Sequence, residues 1–180
     1  MSYYEVLLFL HIAAAAVWLG SIFFVQMLVF RAGKAGDAPL LQGLASNSGW
    51  MAQRIFIPAS LAVLIVGVLL TIEGPWSFGD LWIVLGLAGY AFSFLVGILF
   101  LEPEGKRIAA AMAAGDPGRA RFHIGRINTV SRIELVVLYV VLAAMALKPT
   151  GDDTGTLVLA AVVLLAALAY WAPKLRPATA

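Results

Sequence analysis

From Val6 to Phe30 the chain runs for twenty-five residues without a formal charge. No water is available in a bilayer core to satisfy backbone N–H and C=O groups, so an apolar stretch of this kind spans as a helix. At 1.5 Å of rise per residue, about 20 residues cross the hydrocarbon. Further apolar runs follow at about 50–72, 81–101, 128–148 and 156–172. The expected fold is therefore all-α: a polytopic transmembrane helical bundle of five spans, one domain over residues 1–180, with four spans and a peripheral last segment as the rival count. The segment Met1-Ser-Tyr-Tyr-Glu5 lacks the positive charge that opens a signal peptide, which makes 6–30 a retained span.

Composition agrees with this class. Apolar residues make up 62% of the chain and charged residues 12%, against roughly 45–50% and about 25% in soluble domains. The absence of cysteine excludes disulfides, thiolate metal sites, iron–sulfur clusters and covalent haem attachment. The basic residues lie between apolar runs, so orientation in a membrane explains them better than nucleic acid does.

Punctuation sets the boundaries. Ser48 reads as an N-cap for the second span, which bends at Pro58. The link Glu73 to Asp80 holds turn residues with Trp76 and Phe78, aromatics suited to the interface. Span three stops at Glu102-Pro103, because the residue before proline disfavours the helical region. Pro103 to Ala114 then forms a short surface helix closed by Gly115. Asp116-Pro117 opens a long fourth helix, polar to Val130 and apolar from Ile133 to Leu147, that ends at Lys148-Pro149. Residues 103–127 form an amphipathic cytoplasmic segment, and Lys174 to Ala180 is a short, polar, mobile tail.

Eleven of the twelve basic residues fall in the segments after spans one, three and five, and Lys148 alone falls on the opposite side. The positive-inside rule then places the N-terminus outside and the C-terminus in the cytoplasm.

Few residues carry chemistry. His11 lies inside span one and shares a helical stripe with Ala15, Trp18 and Ile22, so imidazole and indole flank one site. An ionisable ring within a span is a functional candidate, as an axial haem ligand or proton relay, with an interhelical hydrogen bond as the alternative. His123, in the basic half of the fourth helix, reads as a solvated or headgroup-facing residue. Glu134 follows Arg132 where the fourth helix enters the bilayer; it handles protons or ions, or pairs with Arg54 or Arg132. Gly89, Ser93 and Gly97 form a small-residue stripe for helix packing, and Gln26 reads as an interhelical hydrogen bonder. No residues suggest a dedicated metal site, a nucleotide loop or a nucleophile with its base.

Leu10-His11, Trp18-Leu-Gly20, Pro58 with Thr71, Leu101-Glu-Pro103 and Met145-Ala-Leu-Lys-Pro149, in this order, resemble the DUF2269 family of bacterial integral membrane proteins over about residues 5–150. That family brings no firmly assigned activity. The opening Leu-His followed by Trp-x-Gly is more distantly similar to CopD-type copper-resistance proteins and HemJ-type protoporphyrinogen oxidases. In those relatives a first-helix histidine is functional, which implies a role for His11 and allows haem b as a cofactor. No second transmembrane histidine and no methionine cluster accompany it.

Two function classes follow. One is a redox- or haem-linked membrane protein using His11 and Trp18 with a quinone or porphyrin. The other is a small permease or ion- and proton-handling protein using Glu134 and Arg132. A non-catalytic subunit of a membrane complex is a third. The partners expected are the lipid bilayer and a second copy or a complex partner, with no nucleic acid.

Overall fold

The computed structural model describes residues 2–175, so part of the expected tail, residues 176–180, lies outside the described residues. Six helices account for nearly all of them: α1 Tyr3–Ala35, α2 Ala38–Ser46, α3 Ser48–Glu73, α4 Leu81–Ala113, α5 Pro117–Leu147 and α6 Thr154–Trp171, followed by a single 3-10 turn over Ala172–Leu175. Five are long and apolar enough to cross a membrane, and among the described residues there is no strand. Large apolar side chains such as Phe9, Phe24, Leu99, Leu159 and Leu165 point outward. That inversion of the soluble pattern is what lipid requires.

Helix α1 is longer than the 6–30 expected. Ser2 caps it, its hydroxyl accepting from the Glu5 N–H at 3.2 Å while the Glu5 carboxylate accepts from the Ser2 N–H at 2.7 Å. Its other end closes at Gly36, in the left-handed region at φ 67°. The short α2, which the sequence did not suggest, is capped by the Asp37 carboxylate on the Leu40 N–H at 3.0 Å. Ser48 does not cap α3. Its hydroxyl donates to the Ala45 carbonyl at 2.7 Å and so belongs to the turn that ends α2.

The fold departs most from expectation at proline. Pro103 does not end the helix of the third span: α4 runs unbroken from Leu81 to Ala113, and its polar last turns carry on past the apolar stretch. A π-helical turn over Gly97–Leu101 precedes the proline, and a second such turn over Ala52–Phe56 stands in the same relation to Pro58 in α3. Proline lacks an N–H and its ring clashes with the carbonyl four residues back. The wider π turn hands off the hydrogen-bond ladder at that point, so the chain passes the ring without ending.

Helix α1 packs on α3 along its length and touches α5. Helix α5 packs on α4 and carries α6 on its other side, while α3 and α4 barely meet. Helices α4 and α5 are antiparallel in constant register. Gly86 faces Met145, Gly89 faces Val141, Ser93 meets Glu134, and Glu104 meets Arg126 and His123. Helix α5 starts at Asp116, whose carboxylate accepts from the Arg119 N–H at 2.9 Å, and ends at Lys148, as the capping residues suggested.

Candidate functional site: a cavity at the aromatic end of the bundle

Because α3 and α4 diverge, the bundle is open inside at the end that carries the N-terminus, the 74–80 turn and Lys148. A cavity of about 400 Å³ lies there, between α1, α3, α4 and α5. That size falls in the usual range for small-molecule sites. Its walls are mainly aliphatic, with the aromatic rings of Trp18, Trp82 and Tyr90 among them. The Trp18 and Tyr90 rings meet edge to face at 6.0 Å.

His11 projects from α1 into the wall. Its ring sits in a notch at Gly67 of α3, where a Cβ atom would come within 2.9 Å of the imidazole Cε1. Glycine at this position is what lets α1 and α3 close around the ring. Nδ1 is buried with no partner in hydrogen-bond geometry, although the backbone of Val63 lies beside it. The stripe read from the sequence thus brings His11 and Trp18 to one cavity.

The mouth includes Trp76 and Lys148, which the sequence marked as interfacial and as a helix end, without marking them as a site. The Trp76 indole N–H donates to the Tyr4 hydroxyl at 3.3 Å, tying the 74–80 turn to the start of α1. Trp76 and Trp82 meet edge to face at 5.2 Å. The Lys148 ammonium stands 3.8 Å from the centre of the Trp76 ring and 5.3 Å from that of Trp82. Lys148 has φ 49°, the one positive φ outside glycine among the described residues. The proline that follows it disfavours the right-handed helical region. The signal available was the pairing of two interfacial tryptophans with the single basic residue on that side.

One turn below the cavity wall at Leu138, Glu134 is buried at 6% exposure and accepts a hydrogen bond from the Ser93 hydroxyl. Neither Arg54 nor Arg132 forms an ion pair with it, so the pairing expected from the sequence is not the one found. Arg132 is partly exposed on α5, one residue round from Ile133 and off the face that meets α4. Of the small-residue stripe, Gly89 receives Val141, where a Cβ would lie 2.2 Å from the valine Cγ2. Ser93 serves as a hydrogen-bond donor, and a Cβ at Gly97 would meet open space. The Gln26 side-chain carbonyl has no hydrogen-bond partner among the described residues.

At the opposite, basic end, His123 is not solvated. It is 6% exposed, and its Nδ1 lies 2.7 Å from Glu104 Oε2. Glu104 is 1% exposed and also accepts from Arg107 and, at 2.8 Å, from Arg126. The cause is the continuation of α4 past Pro103, which carries Glu104 onto α5. Burial alone would raise the Glu104 carboxyl. The hydrogen bonds from His123 and Arg107 and the charge of Arg126 outweigh it and hold the group below the ordinary glutamate range. An ionised carboxylate only accepts, which puts the shared proton on His123 Nδ1. Arg126 also lies over the Phe100 ring at 5.1 Å. About 33 Å of rise along α5 separates His123 from Met145 in the cavity wall, so the two histidines belong to different sites.

Among the described residues, no three histidine or carboxylate side chains converge as metal ligands. No curated protein and no solved structure matches the chain. A family model described as a predicted integral membrane protein of the DUF2269 type matches residues 5–149. The apolar helices with their outward-facing side chains agree with that description, and the chain belongs to the DUF2269 family of integral membrane proteins.

Proposed function

We propose that this membrane protein binds a ring-bearing, largely apolar small molecule in the cavity, in a redox- or haem-linked role, with His11 as the polar contact and Trp18 in the wall. One observation carries the reading: the imidazole within the spans lines the same 400 Å³ cavity, mainly aliphatic with Trp18, Trp82 and Tyr90 in its wall, that the diverging helices leave. The donor set fits a porphyrin held by one histidine, or a quinone whose carbonyl accepts a hydrogen bond from the imidazole. Because Nδ1 is buried, Nε2 is the nitrogen that would serve. Haem b held there would supply one-electron chemistry. The chain itself orients the ring through the Gly67 notch and keeps water out with Leu138, Val141 and Trp18.

A second reading, proton or ion handling at Glu134, is favoured by its burial beside Ser93 with no cation in contact. A carboxyl group without a counter-charge in a span is costly to ionise, which marks it as a candidate for proton or ion handling. In both readings the basic end faces the cytoplasm of a bacterial cell, with the cavity in the outer half of the inner membrane. Reporter fusions at Gly74–Gly79 and Gly151–Thr154 should read external, and one at Ala113–Gly118 cytoplasmic. A cytoplasmic signal from the 151–154 turn overturns that orientation.

Absorption spectroscopy on protein purified in mild detergent, followed by titration with haemin and with a short-chain quinone, tests the first reading. The expected result is a Soret band or a saturable quinone signal that His11→Ala removes while the helical signal persists. Absence of binding by both compounds, with a folded protein, overturns it. Proton uptake by wild type and Glu134→Gln in proteoliposomes tests the second reading.

A further inference from the structure

We infer that the cavity selects an anionic amphiphile, a molecule with an apolar body and a carboxylate or phosphate at one end, and that Lys148 is the residue that recognises the anion. This rests on the cavity being a ligand site and adds the charge of the ligand.

Lys148 is the single basic residue at the aromatic end, and it lines the cavity together with Tyr4, Trp76 and Trp82. Five acidic residues belong to the same end of the bundle: Glu5, Glu73, Asp80, Asp152 and Asp153. None pairs with it among the described residues. Three of them are engaged locally, Glu5 in the capping box of α1. Asp153 accepts from the Thr150 N–H at 2.7 Å and the Thr150 hydroxyl at 3.0 Å, and Asp80 accepts from the Ser77 N–H at 3.1 Å. The ammonium is instead held over two indole faces, an arrangement that positions a cation without neutralising it. Its backbone is fixed in a left-handed turn between the end of α5 and Pro149, so the side chain departs from a set point. The Tyr4 hydroxyl and the Trp76 N–H, already in contact at 3.3 Å, add polar groups at the same level. Below this ring the walls are apolar. A positive, hydrogen-bonding rim over an apolar chamber matches one end of an amphiphile to each part, and a neutral quinone leaves the cation unused.

The anion could belong to a lipid-like chain or to a carboxylate-bearing tetrapyrrole, and paired probes separate the two sources. The protein is placed in nanodiscs of zwitterionic lipid. Affinities are measured for a pyrene-labelled fatty acid and the matching alcohol, and for protoporphyrin and its dimethyl ester. Wild type should favour the charged member of at least one pair by about tenfold, the low end of what a hydrogen bond to a charged group contributes. Lys148→Gln should bring the charged member down to the level of its neutral partner and leave the neutral partner unchanged. Lys148→Arg should retain the preference. Equal binding of both members by wild type, or a preference that survives Lys148→Gln, overturns the inference while leaving the cavity a ligand site. Binding of none of the four probes overturns both.

Discussion

Replacing Glu104 by alanine should destabilise the protein more than any other single change at the basic end. The side chain is 1% exposed and accepts from three residues whose side-chain exposure differs: His123 at 8%, Arg126 at 27% and Arg107 at 54%. The Arg107 contact, largely in solvent, contributes under about 1 kcal/mol. His123 would keep a buried N–H without an acceptor, at about 1–3 kcal/mol. Arg126 would be left partly buried without its counter-charge, and breaking buried ion pairs in this way costs about 3–5 kcal/mol in total. Glu104→Gln keeps an acceptor for His123 but loses the charge, and should fall between wild type and Glu104→Ala. Arg107→Ala should stay within about 1 kcal/mol of wild type. The carboxyl is held below the ordinary glutamate range in the fold, so its contribution is complete above the unfolded value of 4.5. It fades as pH falls through the lower folded value. Reversible unfolding of detergent-solubilised protein, followed by circular dichroism against denaturant at several pH values, measures each quantity. If Glu104→Ala were within about 0.5 kcal/mol of wild type at neutral pH, a scale on which changes at ordinary surface positions fall, the reasoning would be wrong.

Three further outcomes are expected. Gly67→Ala should cost about 1–3 kcal/mol through overpacking against the imidazole, and the same change in a His11→Ala background should be near neutral; equal costs in both backgrounds would show that the ring does not occupy the notch. Gly89→Ala should destabilise the α4–α5 contact by a similar amount and Val141→Ala should relieve it, read by the same unfolding assay, whereas Gly97→Ala, facing open space, should be tolerated. Ser93→Ala should remove the hydrogen bond to Glu134 and lower stability by about 1–3 kcal/mol, and a variant as stable as wild type would show that Glu134 finds another partner.

The spans were legible because apolar run length and capping residues act locally: Asp116 with Pro117 and Lys148-Pro149 mark ends by chemistry within a few residues. The stripe of His11 and Trp18 was legible for the same reason, since helical periodicity fixes which neighbours share a face. What the sequence concealed depends on partners distant along the chain. Proline reads as a stop, and only the wider turn before it shows that α4 continues to Glu104. His123 reads as one more polar residue in a basic segment until that continuation supplies its acceptor. Glu134 lies next to Arg132 in sequence, yet adjacent helical residues point some 100° apart, and the facing helix supplied Ser93 instead.

The divergence of α3 from α4 has a mechanical meaning. The bundle is two closely packed pairs, α1 with α3 and α4 with α5, joined mainly along the seam where α1 touches α5, with only slight contact between α3 and α4. The cavity lies on the open side of that seam. Rotation of one pair against the other about the α1–α5 line would widen or narrow the chamber without separating either pair, a hinge motion of packed units. The ties across the opening at the mouth are the Trp76 bond to Tyr4 and the aromatic contact with Lys148. Those are two polar ties at the mouth, against the three that converge on Glu104 at the other end, so such a rotation would meet less resistance at the cavity end.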